Sequence, residues 1–171
     1  MSKLTAIQLQ SIIGCVLIPV LNMDNQTLLK YDIVIPSHVQ EKVTIYTSVV
    51  GLRDVVIGES TNVEIFCEDG NNLNDVVVMR QAKLYVTSNK DTPIQGSMII
   101  KPFSHVNIDS PTSLAIEKDL NINNATLNTI IRNVPFYGFI QIGKNGIPLP
   151  ADKSSSYRTK EGGEINYIRN I

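Results

Sequence analysis

The chain has 171 residues, 43% hydrophobic and 18% charged, with 15 basic and 16 acidic side chains and a formal net charge of −1. That balance is globular rather than disordered, and with no run of three Lys or Arg it argues against the electrostatic footprint of a nucleic-acid binder. A chain this long buries roughly two-thirds of its unfolded surface, so it needs neither a metal nor a disulfide to hold together.

The N-terminal segment "SKLTAIQLQSIIG" (2–14) allows a helix capped at Ser2 and stopped at Gly14, although its Ile7/Leu9 alternation reads equally as a strand. "IIGC" (12–15) resembles a bacterial lipoprotein cleavage motif, but two Gln interrupt the apolar stretch before it, and "VLIPVL" follows where a polar tether belongs. The run Ile12–Leu21 is 10 residues long and contains Pro19, too short to span a bilayer, so a buried strand is expected. No recognisable signal peptide stands here. Cys15 and Cys67 both lie in apolar surroundings without a CxxC or clustered His, the pattern of buried free thiols.

Period-two alternation then dominates. "KYDIVIP" alternates through Tyr31, Ile33 and Ile35, and "KVTIYTSVV" puts Val43, Ile45, Thr47 and Val49 on one face. "TNVEIFC" does the same with Val63, Ile65 and Cys67. "DVVVMRQAKLYV" does so with Val76, Val78, Ala82, Leu84 and Val86, Arg80 being the exception. Turn formers at 23–26, 68–75, 88–93 and 143–146 separate these runs, and no self-similar repeat is apparent. Strands every 10 to 15 residues predict an all-β fold with room for one or two short helices. The specific expectation is an antiparallel β-sandwich, jelly-roll or immunoglobulin-like.

Further on, "NNATLNTIIRNVP" is balanced between helix and strand: Asn124 can cap, Leu127, Ile130, Ile131 and Val134 follow helical spacing, and Pro135 terminates. "FYGFIQIGKNGIPL" (136–149) predicts a hairpin turning at Asn145-Gly146, with Pro148 on an edge strand. Beyond Pro150 the pattern fades. One domain over 1–171 is therefore expected, with an N-terminal arm at about 1–10 and a C-terminal arm or tail at about 151–171.

Chemistry finds few footholds. His38 and His105 are the only histidines, no GxSxG surrounds a serine, and neither cysteine has a thiol-protease signature. Glu64 and Glu68 would share a strand face, yet a glycosidase pair needs a cleft and usually aromatic platforms, and the chain has no Trp. "EDGNNLND" gathers Glu68, Asp69, Asn71, Asn72, Asn74 and Asp75, an oxygen-rich turn of the kind calcium favours without the EF-hand spacing. No phosphate-binding loop occurs, and "EGGE" (161–164) is too acidic to make one. The sequons at Asn25 and Asn124 matter only in a eukaryotic secretory setting.

The expectation is a non-enzymatic structural protein of a larger assembly, an auxiliary capsid or other virion component, located in a virion or the cytoplasm. Its partners would be neighbouring protein subunits, with no nucleic acid or membrane. No catalytic, cofactor-binding or metal residue is assigned, and no cofactor is expected. The alternative is a small carbohydrate-, receptor- or calcium-dependent binding module.

Overall fold

The structure is a computed structural model that describes residues 3–20, 30–68, 72–90, 93–111, 114–131, 139–142, 145–148, 155–158 and 162–169. Helix α1 (Ala6–Ile13) and strand β1 (Val16–Val20) lead into β2 (Lys30–Ile35), β3 (Val43–Tyr46), β4 (Gly51–Ile57), β5 (Asn62–Cys67), β6 (Val76–Val78) and β7 (Lys83–Ser88). Then come β8 (Met98–Ile100), β9 (His105–Ser110), β10 (Leu114–Ile116), β11 (Leu120–Ile122) and β12 (Thr126–Ile131). The described part closes with β13 (Phe139–Ile142), β14 (Asn145–Pro148), β15 (Ser155–Arg158) and β16 (Glu164–Arg169).

These strands wind into a β-solenoid of about four turns, which overturns the antiparallel sandwich. One sheet runs β1-β2-β4-β6-β8-β11, a second β15-β16-β12-β9-β7-β5-β3, and a third, smaller one β10-β13-β14. From β2 to β11 every pairing in the first sheet is parallel, as is every pairing from β3 to β12 in the second. Val55 pairs with Val76, Val76 with Met98 and Met98 with Leu120, so successive rungs are 21, 22 and 22 residues apart.

The repeat that looked absent is therefore present. It is carried by residue class rather than identity: Ile33, Val55, Val76, Met98 and Leu120 form one column, and Ile35, Ile57, Val78, Ile100 and Ile122 another. Val43, Val63, Leu84, Val106 and Leu127 do the same in the second sheet. The inward members of these columns form one continuous buried core. Parallel sheets covered on both faces show unbroken apolar runs. Here the outer face is open, so the strands keep the alternation of an antiparallel sheet, and that alternation pointed to the wrong architecture.

Each rung bends between the two sheets at a residue with positive φ: His38, Ser60, Gln81, Phe103 and Asn124, at 60°, 53°, 60°, 62° and 52°. Of these, only His38 and Asn124 are of types enriched in this region. The backbone stacks through the corner, with the amides of His38, Ser60, Gln81 and Phe103 donating to the carbonyls of Glu59, Arg80, Pro102 and Asn124 on the next rung. A small residue follows inside, Thr61, Ala82, Ser104 or Ala125, each buried. This corner divides what read as one strand through Arg80 into β6 and β7, which belong to different sheets. Gly58 sits where rungs nearly touch: a Cβ there would lie 2.5 Å from the backbone of Pro36 and Ser37.

Side chains extend the ladder where the chain enters the first sheet. The amide of Asp54 donates to Asp32 at 3.0 Å, that of Asp75 to Asp54 at 3.0 Å, that of Ser97 to Asp75 at 2.9 Å, and that of Asp119 to the Ser97 hydroxyl at 3.2 Å. On the second sheet Asn128 donates to Asn107 at 2.9 Å, and Asn166 donates to Asn128 at 3.0 Å. Identical or similar polar residues recur because each rung presents its neighbour with the same geometry.

Other local expectations resolve against this frame. The balanced segment at 124–134 contains strand β12, whose Leu127 and Thr129 point inward, so its β-branched content outweighed helical spacing. The N-terminal segment is a helix: Thr5 and Gln8 form a capping box, and Gly14 at φ 68° is the left-handed C-cap. Residues 6–10 of the expected N-terminal arm belong to that helix, and Leu9 is fully buried. The hairpin β13–β14 forms, but Ile142 pairs with Asn145, so Asn145 and Gly146 belong to the return strand rather than to its turn. Phe136 and Gly138 lie outside the described residues.

Candidate functional site

The N-terminal end is where the repetition stops. In the first sheet β1 covers β2 in antiparallel register, Val16 opposite Val34 and Ile18 opposite Asp32. Pro19 sits opposite Tyr31 and brings no N–H, which blunts this strand as an edge. Helix α1 follows from its capping box and C-cap, and it packs on the core through Leu9, with Leu4, Ala6 and Ile13 alongside.

This end is also where apolar surface collects. Ile7 is 75% exposed, Ile12 59%, Val16 53%, Ile18 55%, and Val34 and Val49 are close to 40%, while Phe103 is the one large exposed apolar residue of later rungs among the residues whose side chains the structure describes. Val16 and Val34 stand side by side on the outer face of the first sheet, in line with the half-buried Val56, Val77 and Ile99. Phe103 differs from the other six, since the Arg80 guanidinium lies 5.3 Å from its ring centre.

Between α1 and β3 runs a groove of about 450 Å³. Leu4, Ile12 and Ile13 form one wall, and Val43, Tyr46 and Phe66 line the other. Tyr46 and Phe66 stack at 4.7 Å with ring planes 9° apart, and the Lys3 ammonium lies 4.6 Å from the Tyr46 ring centre. Lys3 also pairs with Glu68 at 3.7 Å, and Lys42 pairs with Glu64.

The residues weighed for chemistry do not converge. His38 lies at the first corner and His105 opens β9, both exposed; the rungs that carry them are three spacings apart, roughly 14 Å. Glu64 and Glu68 each hold their own lysine instead of facing one another across a cleft. Of the 68–75 turn, residues 69–71 lie outside the described residues, while Asn74 and Asp75 serve the ladder, Asn74 donating to Asp54 at 2.9 Å. Asn25 also lies outside, and Asn124 is a corner residue. Among the described residues no group of three His, Cys, Asp or Glu could hold a metal ion, and no helix is long and apolar enough to cross a membrane.

Both cysteines are free and buried, as expected. Burial pushes the Cys67 thiol up to about 12 and raises that of Cys15, so both stay protonated at neutral pH. Arg53 grips Asp32 through two hydrogen bonds, 2.9 Å from Nε and 2.6 Å from Nη2, and holds its carboxyl below the usual aspartate range. This pair sits at a register shift between β2 and β4, where the Asp32 carboxylate also accepts the Asp54 amide.

Sequence reasoning missed the apolar end and the aspartate column. Setting the chain against itself at offsets of 21 to 22 residues aligns Asp32, Asp54, Asp75 and Asp119, with Ser97 between, and is the signal that finds the column. No family model, no curated protein and no solved structure matches the chain.

Proposed function

We propose that the protein is a non-enzymatic structural component of a larger assembly, an auxiliary capsid or other virion protein, which meets neighbouring subunits through its N-terminal end. One observation carries this reading: among the residues whose side chains the structure describes, six of the seven large exposed apolar ones lie on α1, β1 and the first rung, namely Ile7, Ile12, Val16, Ile18, Val34 and Val49. A solenoid whose end faces water needs a polar cap, because stacking otherwise continues onto whatever is near. This end is stapled by a strand and a helix yet remains apolar outside, the composition of a surface that a neighbour covers. The stacked rungs behind it supply a stiff body of the kind an assembly uses as a spacer.

The test is sedimentation velocity from low micromolar to several hundred micromolar protein, with Ile18→Lys and Val34→Lys beside the wild type. Wild type should associate with rising concentration, and each lysine variant should return to the monomer with an unchanged melting temperature. A wild-type chain that stays monomeric throughout, or variants that associate equally well, would count against the reading.

A further inference from the structure

The two sheets end differently at this pole. The first is completed by β1, antiparallel and blunted by Pro19, whereas the second ends on β3, which among the described residues pairs only with β5. In a parallel ladder successive residues point their amide and carbonyl to opposite sides. The Thr47 amide donates to Phe66 of β5, so Val43 and Ile45 also face β5, while the backbone of Thr44 and the amide of Tyr46 face away from it. The Tyr46 carbonyl accepts from the Val49 and Val50 amides, which leaves the Thr44 N–H and C=O and the Tyr46 N–H along the outer edge. The groove beneath α1 runs beside that edge.

We propose that the outer edge of β3, unpaired among the described residues, and the groove beside it accept an extended peptide segment of a neighbouring subunit, added as an antiparallel strand. The segment is apolar on alternate residues and carries a Lys or Arg at its C-terminal end. Three observations select this occupant. A groove of about 450 Å³ takes a few side chains, whereas a globular second copy needs about 800 Å² of contact on each side. Lys3 and Lys42 are already matched to Glu68 and Glu64, so the interior of the groove favours uncharged side chains. Glu41, exposed at the mouth ahead of β3, forms no ion pair among the described residues and is left to meet a cation, and in antiparallel addition that cation belongs to the C-terminal end of the guest. Backbone bonds along the edge would supply affinity, and the pocket between Ile12, Ile13, Tyr46 and Phe66 would supply selectivity.

This deepens the assembly reading and rests on it, but it is tested separately. A fluorescent hexapeptide alternating threonine and valine and ending in lysine amide is titrated against the full chain by anisotropy, beside a counterpart ending in glutamate. Saturable binding is expected, weaker for the glutamate peptide, with that preference reversed in Glu41→Lys. Thr44→Pro removes an outward N–H that β5 does not use, and it should weaken binding about tenfold, the equivalent of one to two hydrogen bonds. Ile12→Asp, on an exposed helix position, should do the same through the opposite wall and serves if the proline variant does not fold. No saturable binding, or equal affinity across wild type, Thr44→Pro and Ile12→Asp, would overturn the proposal. Should Ile18→Lys still dissociate the assembly in that case, the strand-addition site alone has failed.

Discussion

The interior rungs and the N-terminal end obey the same local rules with opposite results. In the interior each strand has a neighbour on both sides, and polar side chains such as Asp54, Asp75 and Asn128 spend their hydrogen bonds on the rung above or below. At the N-terminal end the described stack is closed by α1 and β1, which leave Ile7, Ile12, Val16 and Ile18 in solvent. Repetition stabilises only where it is flanked by more of itself. The end must be finished by something else, and here the finish is apolar.

The comparison breaks most visibly at Gly58. In an interior position that packs backbone on backbone, Gly58→Ala puts a Cβ against Pro36 and Ser37, and should lower unfolding free energy by about 1–3 kcal/mol in urea titration. Gly14→Ala at the end meets no atom within 4 Å and should cost only the left-handed conformation, about 1 kcal/mol. Equal losses would show that the rungs yield as easily as the cap.

Acid sharpens the contrast next. Asp32 has a folded pKa held below its unfolded value by Arg53, so its contribution is complete above roughly pH 4 and disappears as pH falls through the depressed folded value. Chemical denaturation between about pH 5 and pH 2 should show Asp32→Asn losing less stability on acidification than wild type. Parallel curves would mean that the pair does not couple to folding.

The smallest effect lies at the corners. Ser60→Gly relieves a positive-φ position and should raise stability by up to about 1 kcal/mol, visible as a few degrees in the melting temperature. A loss instead would show that the Ser60 side chain holds the corner by more than its backbone.

Which residues point inward was legible from the chain. Ile33, Ile35, Val43, Ile45, Val63, Ile65, Val76, Val78, Leu84 and Val86 were grouped on shared strand faces by alternation alone, and all are buried. Val49 was not: the chain turns after Tyr46, so Val49 is exposed and Val50 takes the inside. The corners were illegible because Ser60, Gln81 and Phe103 are residues that seldom mark a left-handed bend. The groove was equally hidden, since Ile12 and Phe66 meet across it from distant parts of the chain.

The sequence by itself determined that this is a strand-rich chain with a single apolar interior and two buried free thiols. Period two is a property of one strand and says nothing about which strand lies beside it. Whether Val55 pairs with a residue ten positions away or with Val76 was decided only by the tertiary structure. Stacking similar rungs lets every inward column continue and every corner amide find the same carbonyl, and the cooperative sum of those matches, rather than any local preference, selects the solenoid.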